Sequence, residues 1–250
     1  LVIDRVAEEG RAVPGDLVIG ADSHTVTCGA LNLFATGVGS SDLAAAMITG
    51  RVWLRVPETI GVNLVGARPR GLAAKDIALA LIAELGAEGA NYQTLEFSGP
   101  GIAHFTLEER FVFSNLAVES GAKAAIFPGD DVVRSYLAGR TANAGVPVAP
   151  DDGATYARTI TIDLGTLTPR VAIPHSPNGR SGGGPRKGDA FARRGNDAQP
   201  AGRRRDARDI SNRVRIQVKE LTDDRIGFNA DGVRIGADER AAKDAGGPMR

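Results

Sequence analysis

The chain has 250 residues, 42% of them hydrophobic, which is enough for one large or two modest domains with a packed core. Its 30 Lys and Arg residues balance 30 Asp and Glu residues, so a formal net charge of zero gives no overall attraction to nucleic acid or to an anionic membrane. The single cysteine, Cys28, excludes an internal disulfide, and no uninterrupted apolar segment reaches the ~20 residues that span a bilayer.

The first predicted strand ends in a cluster of polar residues. Residues 16–19 form a short apolar run that is typical of a buried strand. Asp22, Ser23 and His24 follow at its C-terminal end, where α/β proteins usually bind ligands. Adjacent side chains point in different directions, so these three residues cannot form a hydrolase triad among themselves. Two interpretations stay open: hydrogen-bonded turn residues, or groups that each contact a different part of one polar substrate.

A run of small residues, 37–41, leads into the next predicted element. Ser40 or Ser41 is expected to cap a helix that begins at Asp42 and ends near Gly50. The glycines at 37 and 39 could open a dinucleotide-binding loop, but Asp42 occupies the place of the third glycine, which argues against nucleotide binding.

Strands and helices then alternate. Their pattern predicts strands at 59–65, 94–97 and 124–127, and helices at 73–85 and from the Thr106–Glu109 capping box to Gly121. This alternation is typical of an α/β fold.

The last of these helices carries two candidate functional residues, Asn115 and Glu119. They are four residues apart and therefore on one face of a continuous helix. That face is either a solvated stripe or the wall of a cleft. In the second case Glu119 would be the charged partner of an imidazole or of a substrate hydroxyl.

The apolar periodicity ends after Pro177. Residues 178–213 are rich in Gly, Pro and Arg and too poor in apolar residues to form a core, so we expect an irregular or disordered tail. One alternating strand is predicted at 214–218. We expect four segments: 1–57 with the Asp-Ser-His cluster, 58–140 as a second α/β domain, 141–177 as a linker and the start of a third, and 178–250 as the tail.

Several motifs of this chain, in order, resemble those of the aconitase superfamily, and most of all the large subunits of 3-isopropylmalate dehydratase and homoaconitase. They lie between residues 8 and 177 and read PGDLVIGADSHT (14–25), ATGVGSSD (35–42), VPETI (56–60), LEFSG (95–99), NLAVESGAK (115–123) and IPHSP (173–177).

The resemblance implies a three-layer α/β/α fold, incomplete here, and a carbon–oxygen hydro-lyase. Such an enzyme isomerises a hydroxy-dicarboxylate by dehydration and rehydration on a 4Fe-4S cluster, one iron of which acts as a Lewis acid. Carried over by motif, His24, Asp22 and Glu119 are catalytic residues, with His24 near the departing hydroxyl and paired with Glu119. Ser23 would bind a substrate carboxylate, and Asn115 would lie beside the cluster and the substrate.

The chain departs from the family pattern where the cluster ligands are expected. The family holds its cluster with three cysteines, the first in a Ser-Cys-Thr-Asn segment, whereas no cysteine follows residue 177 and Cys28 is not at a ligand position. One thiol does not hold an iron–sulfur cluster, so no metal ligand is assigned and Cys28 is expected to be a small buried thiol. We hypothesise a fragment whose residues after about Pro177 come from a shifted reading frame, inactive as it stands.

The same resemblance implies the partners. The substrate is a small hydroxy-dicarboxylate, the protein partner is the small subunit of the dehydratase, and the pathway is leucine biosynthesis in the cytoplasm. No nucleic acid or membrane partner is expected. A homoaconitase or aconitase type of hydratase, and a non-catalytic remnant that serves only as a binding module, remain as alternatives.

Overall fold

The computed structural model of the chain describes residues 2–170, residue 172 and residues 213–217. The family-like motif at 173–177, with His175, lies outside the described residues, as does the predicted tail at 178–212 and 218–250. Within the described part, no helix is both long and apolar enough to cross a membrane.

Helices and strands alternate along most of the described chain. The α-helices are α1 (Val2–Glu8), α2 (Ser40–Thr49), α3 (Ala74–Leu85), α4 (Leu107–Leu116) and α5 (Asp131–Leu137). The strands are β1 (Leu17–Gly20), β2 (Phe34–Gly37), β3 (Arg51–Arg55), β4 (Thr59–Val65), β5 (Thr94–Ser98), β6 (Ala124–Ile126), β7 (Arg158–Asp163) and β8 (Arg213–Gln217). Short 3₁₀ helices occupy Ser23–Leu31, Pro100–His104, Ala117–Ser120 and Leu164–Thr166. The α/β class is confirmed.

A four-stranded parallel sheet with the order β6-β5-β4-β7 forms the larger part of the fold. In β4, Ile60, Val62 and Leu64 are fully buried, because alternate residues of a strand point to the same face. They pack with Ile77 and Leu81 of α3 in the main apolar core. This core also contains aromatic side chains. The rings of Phe97 and Phe127 stack with their centroids 4.2 Å apart.

A smaller two-stranded parallel sheet carries the predicted site. Strands β1 and β2 pair from Leu17↔Phe34 to Gly20↔Gly37, and the 3₁₀ helix Ser23–Leu31 connects them. A second apolar cluster beneath this unit includes Cys28, Leu31 and, from α4, Leu107. Cys28 and Leu31 belong to the predicted segment 1–57, and Leu107 belongs to the predicted segment 58–140, so these two segments pack against each other. The predicted segment boundaries remain a prediction.

Two close approaches join the small sheet to the large one. A Cβ at Gly29 would overlap the carbonyl oxygen of Ala125 in β6, so only glycine fits there. Asn32, in the left-handed region at φ 64°, donates its side-chain amide to the Phe127 carbonyl at 2.9 Å and accepts from the Val148 N–H at 2.7 Å. The connection between β1 and β2 is therefore held against β6 and the residues that follow it by close packing at Gly29 and by the side chain of Asn32.

Several elements differ from the prediction. Helix α2 begins at Ser40 rather than Asp42, and its N-cap is Gly39, which offers no side-chain cap. Helix α4 begins at Leu107, with Thr106 of the predicted capping box as its N-cap, but it ends at Leu116, where the chain tightens into the 3₁₀ helix Ala117–Ser120. Strands β2 and β3 were not predicted, whereas β8 agrees with the strand expected at 214–218 and pairs antiparallel with β3.

Candidate functional site

The polar cluster lies where the two strands of the small sheet end side by side. Gly20 of β1 pairs with Gly37 of β2, and the chain turns away from the sheet immediately after each. A Cβ at Gly37 would come within 2.8 Å of the Asp22 carbonyl oxygen and of Ser23 Cα. The end of β2 can therefore pack against the Asp22–Ser23 turn only because residue 37 has no side chain.

Asp22 caps the 3₁₀ helix that begins at Ser23. Its carboxylate accepts from the His24 backbone N–H at 2.8 Å and lies 3.3 Å from His24 Nδ1. Both hydrogen bonds lower the pKa of the Asp22 carboxyl, and the bond from the His24 backbone N–H has the larger effect. Ser23 Oγ is 3.4 Å from the same Nδ1. The structure thus brings Asp22, Ser23 and His24 together around one ring nitrogen, with all three accessible to solvent.

Asn115 joins this cluster through a threonine that the sequence analysis did not single out. Asn115 Nδ2 donates to Thr27 Oγ1 at 3.0 Å, and Thr27 Oγ1 in turn donates to the His24 carbonyl at 2.7 Å. A 3₁₀ helix has three residues per turn, so Thr27 lies one turn beyond His24. This chain of hydrogen bonds connects α4 to the backbone of His24.

Glu119 occupies a different position from the one that a continuous helix would give it. It lies in the 3₁₀ helix Ala117–Ser120, beyond the last residue of α4, and it is exposed. Among the described residues it forms no hydrogen bond or ion pair with His24. Its pairing with the histidine remains a prediction.

A cavity of about 670 Å³ opens beside the cluster. Ser23 lines it, as do Gly37–Gly39, the first turns of α2 and most of β3. Further lining residues are Val118, Gly121, Ala122 and Lys123, whereas Glu119 is not one of them. Lys123 places a cation at the end of β2, because its Nζ donates to the Gly37 carbonyl at 3.3 Å. Neither Lys123 nor this pocket was predicted from the sequence. A lysine after a Gly-Ala pair gives no signal by itself, since it meets Gly37 across 86 residues of chain.

The described residues do not fit an iron–sulfur cluster. Cys28, the chain's one cysteine, is 1% exposed in the second apolar cluster, as expected of a small buried thiol. The described residues also contain no group of three or more His, Cys, Asp or Glu side chains that could hold a metal ion. A 4Fe-4S cluster requires several thiolate ligands, and this part of the chain does not supply them.

Comparisons with known proteins identify the relatives of this chain. The model of the aconitase family (aconitate hydratase) matches residues 4–214. The 3-isopropylmalate dehydratase large subunit of Syntrophus aciditrophicus (strain SB) is 47% identical over 175 residues, which are 70% of this chain and 42% of that protein. The 2,3-dimethylmalate dehydratase large subunit of Eubacterium barkeri is 45% identical over 170 residues, which are 68% of this chain and 40% of that protein.

The parallel strands and alternating helices place the chain in the α/β class, whose members usually bind ligands at the C-terminal ends of the strands, where the polar cluster lies. With the family match across most of its length, the chain belongs to the aconitase family. It spans about two fifths of the length of the curated relatives that it matches.

Proposed function

We propose that this chain carries part of the substrate site of a carbon–oxygen hydro-lyase that acts on hydroxy-dicarboxylates. The observation that supports it most directly is the position of Ser23 and His24, accessible at the C-terminal end of β1 beside a cavity, in a chain of the aconitase family. The substrate that we propose is 2-isopropylmalate or its isomer 3-isopropylmalate, because relatives at 44–47% identity are named 3-isopropylmalate dehydratase large subunits.

In this proposal each residue has a separate role that follows from the chemistry of its side chain. Asp22 is an acceptor that favours a proton on His24 Nδ1, 3.3 Å away. That tautomer leaves Nε2 as the ring nitrogen that exchanges a proton with the substrate hydroxyl. Ser23 donates its hydroxyl hydrogen bond to a substrate carboxylate, and Asn115 holds the His24 backbone in place through Thr27. Glu119 is the second charged group of the site.

We further propose that the isolated polypeptide binds the hydroxy-dicarboxylate without isomerising it. The family's chemistry depends on a 4Fe-4S cluster, and the described residues do not fit one. The chain would then act as a binding module, and, since its relatives are named large subunits, the protein partner that we propose is a dehydratase small subunit.

Calorimetric titration of the purified chain with 2-isopropylmalate tests the proposal. We expect saturable binding that Ser23→Ala and His24→Gln each weaken by about 10-fold, the loss typical of a hydrogen bond to a charged group. Ser135→Ala on α5 and His104→Gln, both at exposed positions outside the cavity, are the matched controls and are expected to bind as the parent does.

Two other measurements separate binding from catalysis. Incubation with a dehydratase small subunit and 2-isopropylmalate is expected to give a complex on size-exclusion chromatography without 3-isopropylmalate formation. Turnover, or an iron–sulfur absorption band with stoichiometric iron, would overturn the binding-module proposal. Absence of any saturable binding by the parent chain would overturn the site itself.

A further inference from the structure

The cavity beside Ser23 is lined by Lys123, whose ammonium group uses only part of its capacity to donate hydrogen bonds. Lys123 Nζ donates to the Gly37 carbonyl at 3.3 Å and lies 5.2 Å from the centre of the Tyr92 ring. An ammonium group has three N–H donors, and the Gly37 carbonyl accepts one of them. No carboxylate among the described residues forms an ion pair with Lys123. The half-buried ammonium can therefore bind an anion that enters the cavity.

Tyr92, which supports this ammonium, has an uncommon backbone conformation. Its φ of 57° lies in the left-handed region, which is costly for a bulky side chain. Two hydrogen bonds hold the residue there: its N–H donates to the Gly121 carbonyl at 3.1 Å, and its Oη accepts from the Arg55 N–H at 3.3 Å. Strained residues of this kind are concentrated at sites that clamp ligands. The strain places an aromatic ring in the cavity wall, beside Lys123.

The charge of the cavity wall favours anions. Its charged side chains are Lys123, Arg51 and Asp42, two cations and one carboxylate, which leaves a net charge of +1. Asp42 is exposed in the first turn of α2, where the helix N-terminus stabilises its negative charge. A single carboxylate that bound Lys123 would therefore neutralise the wall.

The rest of the wall is mainly hydrocarbon. Branched aliphatic side chains come from three separate elements of the fold and from the loop after β2, so the apolar surface is not a chance feature of one helix or strand. They are Val26, Val38, Val52, Leu54 and Val118. An apolar wall combined with one cationic group is the usual composition of a site for a small organic acid.

We propose that this cavity is the subsite for one carboxylate and the alkyl branch of the hydroxy-dicarboxylate, with Lys123 as a substrate-binding residue and the aliphatic wall as a determinant of specificity. The inference rests on the proposed function, because Ser23 lines the same cavity and is the residue to which that proposal assigns the other carboxylate. Malates with a branched alkyl group then bind more tightly than malate itself, since each buried methylene adds to the affinity.

The test is calorimetric titration of the full chain with two probes, 2-isopropylmalate and malate. Lys123→Met, which keeps the aliphatic stem without the charge, is expected to weaken the binding of both probes by about 10-fold or more. Lys123→Arg, which keeps the charge, restores part of the affinity. Lys75→Met, at an exposed position of α3 outside the cavity, is the matched control and leaves both dissociation constants unchanged.

A second variant tests the apolar wall independently of the charge. Val118→Phe adds bulk to the cavity wall. It is expected to weaken the binding of 2-isopropylmalate by about 10-fold, while the affinity for malate changes by less than about 2-fold. Melting curves of the variants show whether each one is folded, and the ratio between the two probes does not change if a variant merely loses stability.

The outcomes separate this inference from the proposed function. If Ser23→Ala weakens binding and a folded Lys123→Met does not, the subsite is wrong and the proposed function stands. If Lys123→Met weakens binding and Ser23→Ala does not, the subsite stands and the assigned role of Ser23 is wrong. Equal affinity of the parent chain for malate and 2-isopropylmalate overturns the specificity role, and a parent chain that binds neither probe overturns both.

Discussion

Asn115 Nδ2 donates a hydrogen bond to Thr27 Oγ1 at 3.0 Å, across 88 residues of chain. Thr27 links Asn115 to His24, because its hydroxyl also donates a hydrogen bond to the His24 carbonyl. The amide of α4 and the backbone of the Asp22–His24 turn are thus held in one network. Thr27 is 7% exposed, so water does not readily replace these bonds.

Thr27→Val is therefore expected to lower the free energy of unfolding by about 2 kcal/mol, because it leaves the Asn115 amide and the His24 carbonyl without their partner. Urea denaturation followed by circular dichroism measures the change. Thr49→Val removes an exposed hydroxyl that bonds the Ala45 carbonyl in α2, and a cost within about 0.5 kcal/mol is expected for it. Equal losses in the two variants would contradict the importance of the network.

The pair Arg110–Asp130 gives a second prediction. Arg110 is fully buried and donates from both terminal nitrogens to the Asp130 carboxylate, at 2.8 Å and 2.7 Å. Asp130→Asn leaves the guanidinium charge buried without a counter-ion, and a loss of about 3 kcal/mol in stability is expected. Asp131→Asn, the neighbouring exposed carboxylate that pairs with Arg134, is expected to cost less than about 1 kcal/mol. Thermal denaturation of both variants compares them, and similar melting temperatures would contradict the prediction.

Local sequence determines some parts of this fold almost completely. Strand β4 agrees with its prediction at both ends, because the alternation of Ile60, Val62 and Leu64 in the sequence indicates its buried face. The predicted capping box is also confirmed: Glu109 N–H donates to Thr106 Oγ1, and Thr106 N–H donates to the Glu109 carboxylate. Both signals operate over a few residues, so a single sequence contains them in full.

The site was predictable only where its residues are neighbours in sequence. Asp22, Ser23 and His24 were found, because they follow one strand directly. Thr27 and Lys123 were not, since tertiary packing alone brings Asn115 to Thr27 and Lys123 to Gly37. The change from α4 to a 3₁₀ helix before Glu119 was missed as well, as nothing in the residue pattern ends the helix at Leu116.

Gly29 supplies a third prediction, on the contact between the two sheets. Its φ is not in the left-handed region, so Gly29→Ala is costly only because the new methyl group would overlap the Ala125 carbonyl. A loss of about 3 kcal/mol is expected from this overlap. Gly139→Ala has open space but a φ of 79°, and about 1 kcal/mol of backbone strain is expected there. Chemical denaturation decides between them, and a larger loss for Gly139→Ala would show that the sheets can move apart.

The last prediction concerns pH and the pair Glu96–Tyr156. Burial raises the pKa of the Glu96 carboxyl, and the hydrogen bond from Tyr156 Oη, at 3.1 Å, only partly opposes this shift. The folded state therefore binds a proton more tightly here than the unfolded state does. Glu96 then contributes stability below its unfolded pKa, and this contribution is lost as the pH rises through the folded pKa.

Glu96→Gln removes this titration and keeps an oxygen that accepts from Tyr156 Oη. The variant is expected to be more stable than the parent at pH 7, with the difference decreasing toward pH 4, because the parent carboxyl is protonated there. Urea denaturation at intervals between pH 4 and pH 7 measures the two profiles. Glu84→Gln, at an exposed position of α3, is the matched control and is expected to follow the parent profile. A parent whose advantage over Glu96→Gln increased toward pH 7 would show that the ionised carboxylate is the stabilising form, contrary to the raised pKa.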